Sequence, residues 1–121
     1  YIQKIISSTY TEGVPVIYYS RSKSNFDKLK NLDIDCIGIS SENNLGDMYK
    51  FFDEKFAIQG NLNTDILKED KDKIKKGVIK TLETFPFETG HVFNLGTGIT
   101  PDIHPDKVSY LVDQVRELSV K

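Results

Sequence analysis

Short apolar runs of strand length alternate along this chain with segments whose apolar residues repeat at helical spacing. The runs are VPVIYY (14–19), DCIGIS (35–40), FAIQG (56–60) and HVFNL (91–95). Continuous apolar runs are typical of strands that are buried on both faces of a parallel sheet. These runs lie too far apart for hairpins, so helical crossovers between parallel strands are the economical connection. The sequence therefore predicts an α/β fold in which one helix is followed by four β-α units.

Residues suited to helix ends punctuate the predicted helices. Gly13 ends the first helix, Asn43 and Asn44 are suitable caps for the third, and Pro105 suits the first turn of the last. The densest charge run, residues 68–76, alternates in sign. We interpret it as the solvated face of a helix, with a phosphate-binding role as the alternative.

Length, charge and cysteine content exclude several classes of protein. The 121 residues correspond to one domain or a piece of one, with no internal boundary. The formal net charge of -2, with interleaved signs, favours neither nucleic acid nor a membrane as a partner, and no apolar run approaches the ~20 residues of a membrane span. A single cysteine, Cys36, excludes an internal disulfide and a multi-thiolate zinc site, which fits the cytoplasm. Because the chain begins at Tyr1 rather than methionine, we expect further residues upstream.

Polar residues follow each predicted strand. In parallel α/β proteins, the carboxyl ends of the strands form the edge that carries function. Glycine allows close approach of the backbone, and amide side chains both donate and accept hydrogen bonds. The four strand ends are Tyr19-Ser20-Arg21, Ser40-Ser41, Gln59-Gly60-Asn61 and Asn94-Leu95-Gly96-Thr97-Gly98.

The strand ends differ in how far they favour a ligand over an ordinary turn. Gly60 and Asn61 are also explained by a turn and a helix cap, and Arg21 is either solvent-facing or a partner for a carboxylate. In NLGTGI (94–99), two glycines beside an asparagine indicate close approach by a ligand or by another strand. The spacing matches neither a Walker loop nor a dinucleotide fingerprint.

Histidines offer little sign of nucleophilic chemistry. His91 begins a strand and is interpreted as structural, and His104 precedes Pro105 as a helix-entry residue. No Ser-His-Asp or Cys-His arrangement is apparent in the sequence.

Two motifs in register resemble the end of the uroporphyrinogen decarboxylases. The first is QGNL (59–62) at the end of a strand, and the second is HVFNLGTGITPDIHP (91–105), which leads into an amphipathic helix. The stretches VPVIYYSRS (14–22) and DIDCIGIS (33–40) also match the preceding strand-helix-strand part of that family. The resemblance runs over essentially the whole chain.

The resemblance implies a fold, a reaction and a set of binding residues. Family members are (β/α)8 TIM barrels, usually homodimers, that need no metal or cofactor; residues 1–121 would be the carboxyl-terminal half of such a barrel. Their reaction, in haem biosynthesis, removes the four acetate carboxylates of uroporphyrinogen and yields coproporphyrinogen and carbon dioxide. The upstream half of the barrel would be a partner of this segment. The resemblance and the strand ends together suggest these substrate-binding residues: Arg21, Gln59, Asn61, Asn94, Gly96, Thr97 and Gly98.

Departures from the family pattern leave activity open. Thr97 stands where the family normally has a histidine that contacts a substrate carboxylate, and Ser40-Ser41 stands where it has Asp-Trp. Unlike histidine, threonine cannot carry a positive charge near neutral pH, so the binding of a substrate carboxylate should be weaker. The family's essential aspartate and arginine-rich motif belong to the other half, so no catalytic residue is expected in this segment. For Asp65 and Asp102, cap or turn roles are the expectation.

Two other hypotheses remain at this stage. A paralogue that keeps the scaffold and binds porphyrinogens without catalysis would explain Thr97. A corrinoid-linked methyltransferase shares the barrel but uses a thiolate-containing zinc site, which Cys36 alone disfavours.

Overall fold

The computed structural model describes residues 1–9, 12–20, 25–88 and 90–120. It contains five α-helices, four β-strands and a 3-10 turn in these ranges. The helices are α1 Ile2–Thr9, α2 Phe26–Leu29, α3 Leu45–Phe51, α4 Lys71–Glu83 and α5 Pro105–Leu118. The strands are β1 Ile17–Tyr19, β2 Cys36–Gly38, β3 Ala57–Leu62 and β4 His91–Leu95, and the 3-10 turn Thr64–Lys68 follows β3.

The four strands form one parallel sheet in the order β1-β2-β3-β4. Each strand therefore pairs with its successor in the chain, as in the wall of a β/α barrel. The predicted fold class, four parallel strands alternating with helices, is confirmed. The register places Tyr19, Gly38, Gln59 and Val92 in one row across the sheet.

Helices cover one face of this sheet, which we call the helix face. Ile37 and Ile58 lie side by side on it and are 1% and 0% exposed. They belong to a core with Phe52 and Phe56 from the α3 region. A second core joins the 3-10 turn, α4 and α5 around Leu62, Leu67, Ile74, Val78, Ile103 and Leu111. Because side chains alternate along a strand, every second residue enters these cores.

The opposite face, which we call the open face, carries exposed apolar side chains on the outer strands. Ile17 of β1 is 51% exposed and Val92 of β4 is 45% exposed. The apolar run 14–19 suited a strand buried on both faces, but within the described chain β1 and β4 are buried on one face only. Within the described ranges these strands each have one neighbour, and no helix packs on their open side. Strand β1 is also shorter than predicted: it begins at Ile17 rather than at residue 14.

Local capping follows the sequence expectations. Asn44 caps α3 by accepting the backbone N–H of Asp47, at 3.0 Å. His104 caps α5, which begins at Pro105, because its Nδ1 accepts the N–H of Asp106 at 3.2 Å. Within the described chain, no helix is both long and apolar enough to cross a membrane.

Candidate functional site

A cavity of about 410 Å³ opens on the open face at the carboxyl ends of the strands. It contains five of the seven predicted binding residues: Gln59, Asn94, Gly96, Thr97 and Gly98. Asn61 does not line it, and Arg21 lies outside the described residues. Tyr19, Gly38 and Ile39 also line the cavity. The sequence analysis named Tyr19 as a strand-end residue, but it did not single out Gly38 or Ile39.

Gly96 is held in place by protein contacts on three sides. Its N–H donates to the carbonyl oxygen of Leu62 at 2.8 Å, and its own carbonyl accepts the hydroxyl of Tyr19 at 2.8 Å. A Cβ atom at Gly96 would lie 2.6 Å from the backbone nitrogen of Ser41. The close approach expected from the glycine pair is therefore made, at Gly96, by the loop that follows β2. Gly98 differs, because a Cβ atom there would meet nothing within 4 Å.

The hydroxyl of Thr97 is engaged by a neighbouring threonine that sequence reasoning missed. The Oγ1 of Thr64 donates to the Thr97 carbonyl at 2.9 Å and lies 2.9 Å from the Thr97 Oγ1. A hydroxyl has one proton, so the second contact must be donated by Thr97. In this arrangement Thr97 offers a ligand acceptor lone pairs rather than a proton. Thr64 is buried just after β3, and its partner is 33 residues away, so no local signal could have found the pair.

Gln59 and Asn94 place amide groups on the cavity wall. The Oδ1 of Asn94 accepts the N–H of Leu95 at 2.8 Å, which leaves its Nδ2 directed elsewhere. Within the described part of the chain, the Gln59 side chain and the Asn94 Nδ2 make no hydrogen bond to protein atoms. The backbone N–H groups of Thr97, Gly98 and Ile99 likewise donate to no backbone carbonyl of the described residues. These donors make the site suited to an anionic or polar ligand.

Asn61 lies beside the cavity and ties two loops together. Its Nδ2 donates to the carbonyl oxygens of Ser40 and Asn43, at 2.8 and 2.6 Å. The side chain is 8% exposed. Both amide protons are therefore used inside the protein. Asn61 lies within β3, so it is neither the turn residue nor the helix cap that the sequence offered as the alternative.

Charged side chains are absent from the described lining of the cavity. Lys68 forms ion pairs with Asp65 and Asp102 at 3.2 and 3.3 Å, linking the turn after β3 to the loop after β4. These contacts raise the pKa of Lys68, and the hydrogen bond to Asp65 makes the largest contribution. The Thr100 hydroxyl, followed by Lys68, lowers the pKa of Asp102. Both carboxylates are thus occupied in holding loops, as expected for turn residues.

The two remaining candidate groups lie away from the cavity. His91 approaches the Gly60 carbonyl through Nε2 at 2.8 Å and packs on Phe85 and Phe93. Burial lowers its pKa, and the carbonyl contact partly opposes the shift. Cys36 is buried, and burial followed by Asp35 raises its thiol pKa. The described ranges hold no group of three His, Cys, Asp or Glu side chains that could bind a metal ion.

Comparison with known proteins identifies the class of this chain. A family model described as "Uroporphyrinogen decarboxylase (URO-D)" matches residues 1–118. The chain therefore belongs to the uroporphyrinogen decarboxylase family, as its two motifs predicted.

Individual relatives cover the chain but extend well beyond it. Uroporphyrinogen decarboxylase from Pseudomonas putida is 32% identical over 126 aligned positions, covering 100% of this chain and 36% of that protein. The protein of the same name from Ruthia magnifica is 35% identical over 107 positions, covering 88% of this chain and 31% of that protein. The chain thus spans about a third of the length of these relatives. A solved methyltransferase from Methanosarcina mazei shares the fold, with a TM-score of 0.79 at 18% identity over 98% of this chain and 35% of its own.

Proposed function

We propose that this chain is the carboxyl-terminal part of a uroporphyrinogen decarboxylase and forms one wall of its substrate pocket. The observation that carries the proposal is the cavity at the strand ends, which contains Gln59, Asn94 and Thr97. Membership of the family supports a reaction in which carbon dioxide is lost from the acetate side chains of uroporphyrinogen. The product is coproporphyrinogen, and the enzyme class is a carboxy-lyase of porphyrin biosynthesis.

The segment's part in this reaction would be binding rather than bond cleavage. A proton is first delivered to the pyrrole ring, and the bond between the acetate methylene carbon and its carboxylate then breaks to release carbon dioxide. The methylene carbon afterwards takes up a proton to become a methyl group, and the ring loses the proton that it gained. The cationic pyrrole intermediate is best stabilised by a nearby carboxylate. The described cavity lining carries none, so this group would come from the upstream half of the barrel. The amides of Gln59 and Asn94 are suited to hydrogen bonding with substrate carboxylates.

The upstream half would cover the open face. Ile17 and Val92 expose apolar side chains there, and strands β1 and β4 are the two outer strands of the described sheet. Such edges and apolar patches favour association. We expect the isolated 121 residues to aggregate, dimerise or bind the rest of the barrel. A monodisperse monomer in light scattering would contradict this. A homodimer of the whole protein in the cytoplasm is part of the same proposal.

The test uses the longer chain that carries this segment. We expect it to convert uroporphyrinogen to coproporphyrinogen under anaerobic conditions. The conversion is measured by oxidising the products to porphyrins and separating them by chromatography. Changing Thr97→His should lower the KM by about fivefold, because a histidine can place a positive charge near a substrate carboxylate. Thr97→Val is the matched control, since it keeps the size of the side chain but adds no charge. An intact, folded chain without turnover would count against the enzyme.

A non-catalytic porphyrinogen-binding paralogue is the second candidate. It is favoured by Thr97, whose hydroxyl proton is directed to Thr64 in place of a ligand. Binding of uroporphyrinogen without turnover, and an affinity unchanged by Thr97→His, would support this function over the first.

A further inference from the structure

Tyr19 reaches across the open face of the sheet. It is the last residue of β1, yet its hydroxyl donates to the carbonyl of Gly96, which follows β4. Strands β2 and β3 lie between these two points. Three spacings of about 4.8 Å exceed what a tyrosine side chain spans in a flat sheet. The contact therefore requires the sheet to curve and the loop after β4 to lean inward.

The tyrosine ring rests on a glycine that leaves room for it. A Cβ atom at Gly38 would lie 2.7 Å from the Cδ2 and 3.1 Å from the Cβ of Tyr19. Gly38 is the neighbour of Tyr19 in the sheet register. The ring is thus fixed at two points, by the backbone beneath it and by the hydroxyl contact at its tip.

The remaining surface of this ring faces the cavity. Tyr19 is 41% exposed and lines the cavity together with Gln59 and Asn94. A partly exposed aromatic ring is a suitable surface for an aromatic group that packs flat or edge-on against it. Because the Tyr19 ring is already fixed, it loses little side-chain entropy on binding. The other aromatic residue of the strand, Tyr18, packs against the core on the helix face and cannot serve the same purpose.

We propose that Tyr19 is a further substrate-contact residue, whose ring packs against one pyrrole of the bound macrocycle. The inference rests on the proposed function and deepens it. The hydroxyl contact to Gly96 sets the angle of the ring and joins it to the loop that carries Thr97. Gly38 is the positioning residue, because it admits the ring to this place.

The experiment measures uroporphyrinogen binding and turnover in the longer chain under argon. Tyr19→Leu removes the ring and should raise the dissociation constant by about tenfold. Tyr19→Phe keeps the ring, loses only the contact to Gly96 and should raise it by about threefold. Gly38→Ala displaces the ring without altering Tyr19 and should resemble Tyr19→Leu. Tyr18→Phe, one residue away on the other face, is the matched control and should stay within about twofold.

A kinetic split separates substrate contact from a merely structural role. If the ring binds the macrocycle without taking part in bond cleavage, the Tyr19→Leu change raises the KM and leaves kcat within about twofold. A lowered kcat in step with a lowered melting temperature would instead overturn the assignment, because it reports loss of folded protein.

A third measurement needs no variant that alters the fold. Oxidised uroporphyrin, which does not react, has a strong ring current, so it should shift the NMR signals of the Tyr19 ring upfield in isotope-labelled wild-type protein. Unshifted Tyr19 signals in the presence of bound uroporphyrin would overturn the inference. Wild-type affinity in both Tyr19→Leu and Gly38→Ala, with turnover retained, would overturn it and leave the proposed function standing. A wild-type chain that neither binds nor converts the macrocycle would overturn both.

Discussion

The helix face and the open face of the sheet are built from similar residues but have different surroundings. Ile58 on the helix face is 0% exposed, and Val92, on the neighbouring strand but on the open face, is 45% exposed. The helix face meets its packing partners within this chain. The open face instead carries Gln59 and Asn94 at the cavity. Residues of one face should therefore govern stability, and residues of the other should govern binding.

The largest expected effect comes from truncation at matched apolar positions. Ile58→Ala should lower the free energy of unfolding of the longer chain by about 2–5 kcal/mol, because it leaves a cavity in the core. Val92→Ala should cost about 1–2 kcal/mol there if the upstream half covers the open face. Urea denaturation followed by circular dichroism measures both. A cost for Val92→Ala within about 0.5 kcal/mol, as for a surface site, would contradict coverage of that face.

The two loop glycines give the next contrast. Gly96→Ala would bring a Cβ atom to 2.6 Å from the Ser41 nitrogen, so the loop must shift. We expect a loss of stability of about 1–3 kcal/mol and weaker uroporphyrinogen binding. Gly98→Ala, two residues on, meets nothing within 4 Å. It is the matched control and should change stability by no more than about 0.5 kcal/mol. Equal effects at the two positions would show that the contact with Ser41 does not hold the loop.

The threonine pair offers a smaller effect that distinguishes the site from the scaffold. Thr64→Val removes both contacts to Thr97 and should cost about 1 kcal/mol of stability. It should also change the KM for uroporphyrinogen, because Thr97 lines the cavity. Thr84→Val is the control, since its hydroxyl bonds the Thr81 carbonyl at 2.7 Å at the end of α4. That variant should lose stability without a change in KM, and a matching KM change would argue against a specific role for Thr64.

Local patterns explain which parts of the fold the sequence could predict. The helix starting at Pro105 and the cap at Asn44 depend on neighbours within four residues, and both were predicted. The strand ends that line the cavity were found because parallel strands bring their carboxyl ends together. The bond between Tyr19 and Gly96 joins residues 77 positions apart and depends on sheet curvature. Nothing in the neighbouring sequence encodes such a contact.

Burial of the open face is a property that a local sequence pattern cannot determine. The run that contains Ile17 is apolar throughout and resembles a strand buried on both faces, whereas the run that contains Val92 also includes His91 and Asn94. Such a pattern reports what the whole assembled protein buries, whereas the described chain covers only one face. At the exposed positions, the apolar pattern predicts burial, but the described chain provides nothing to cover the side chains. This disagreement is what the proposed upstream half would resolve.

The smallest expected effect concerns the pH dependence of stability at His91. Burial holds the pKa of His91 below its ordinary value of 6.5, so the unfolded chain binds more protons between that value and the folded pKa. The free energy of unfolding should therefore fall as the pH drops through this window and level off below it. His91→Gln keeps a donor for the Gly60 carbonyl but cannot titrate, so urea denaturation of that variant should lack this part of the slope. If the His91→Gln chain shows the same pH dependence of stability as the wild type, burial of His91 is not the source of that dependence.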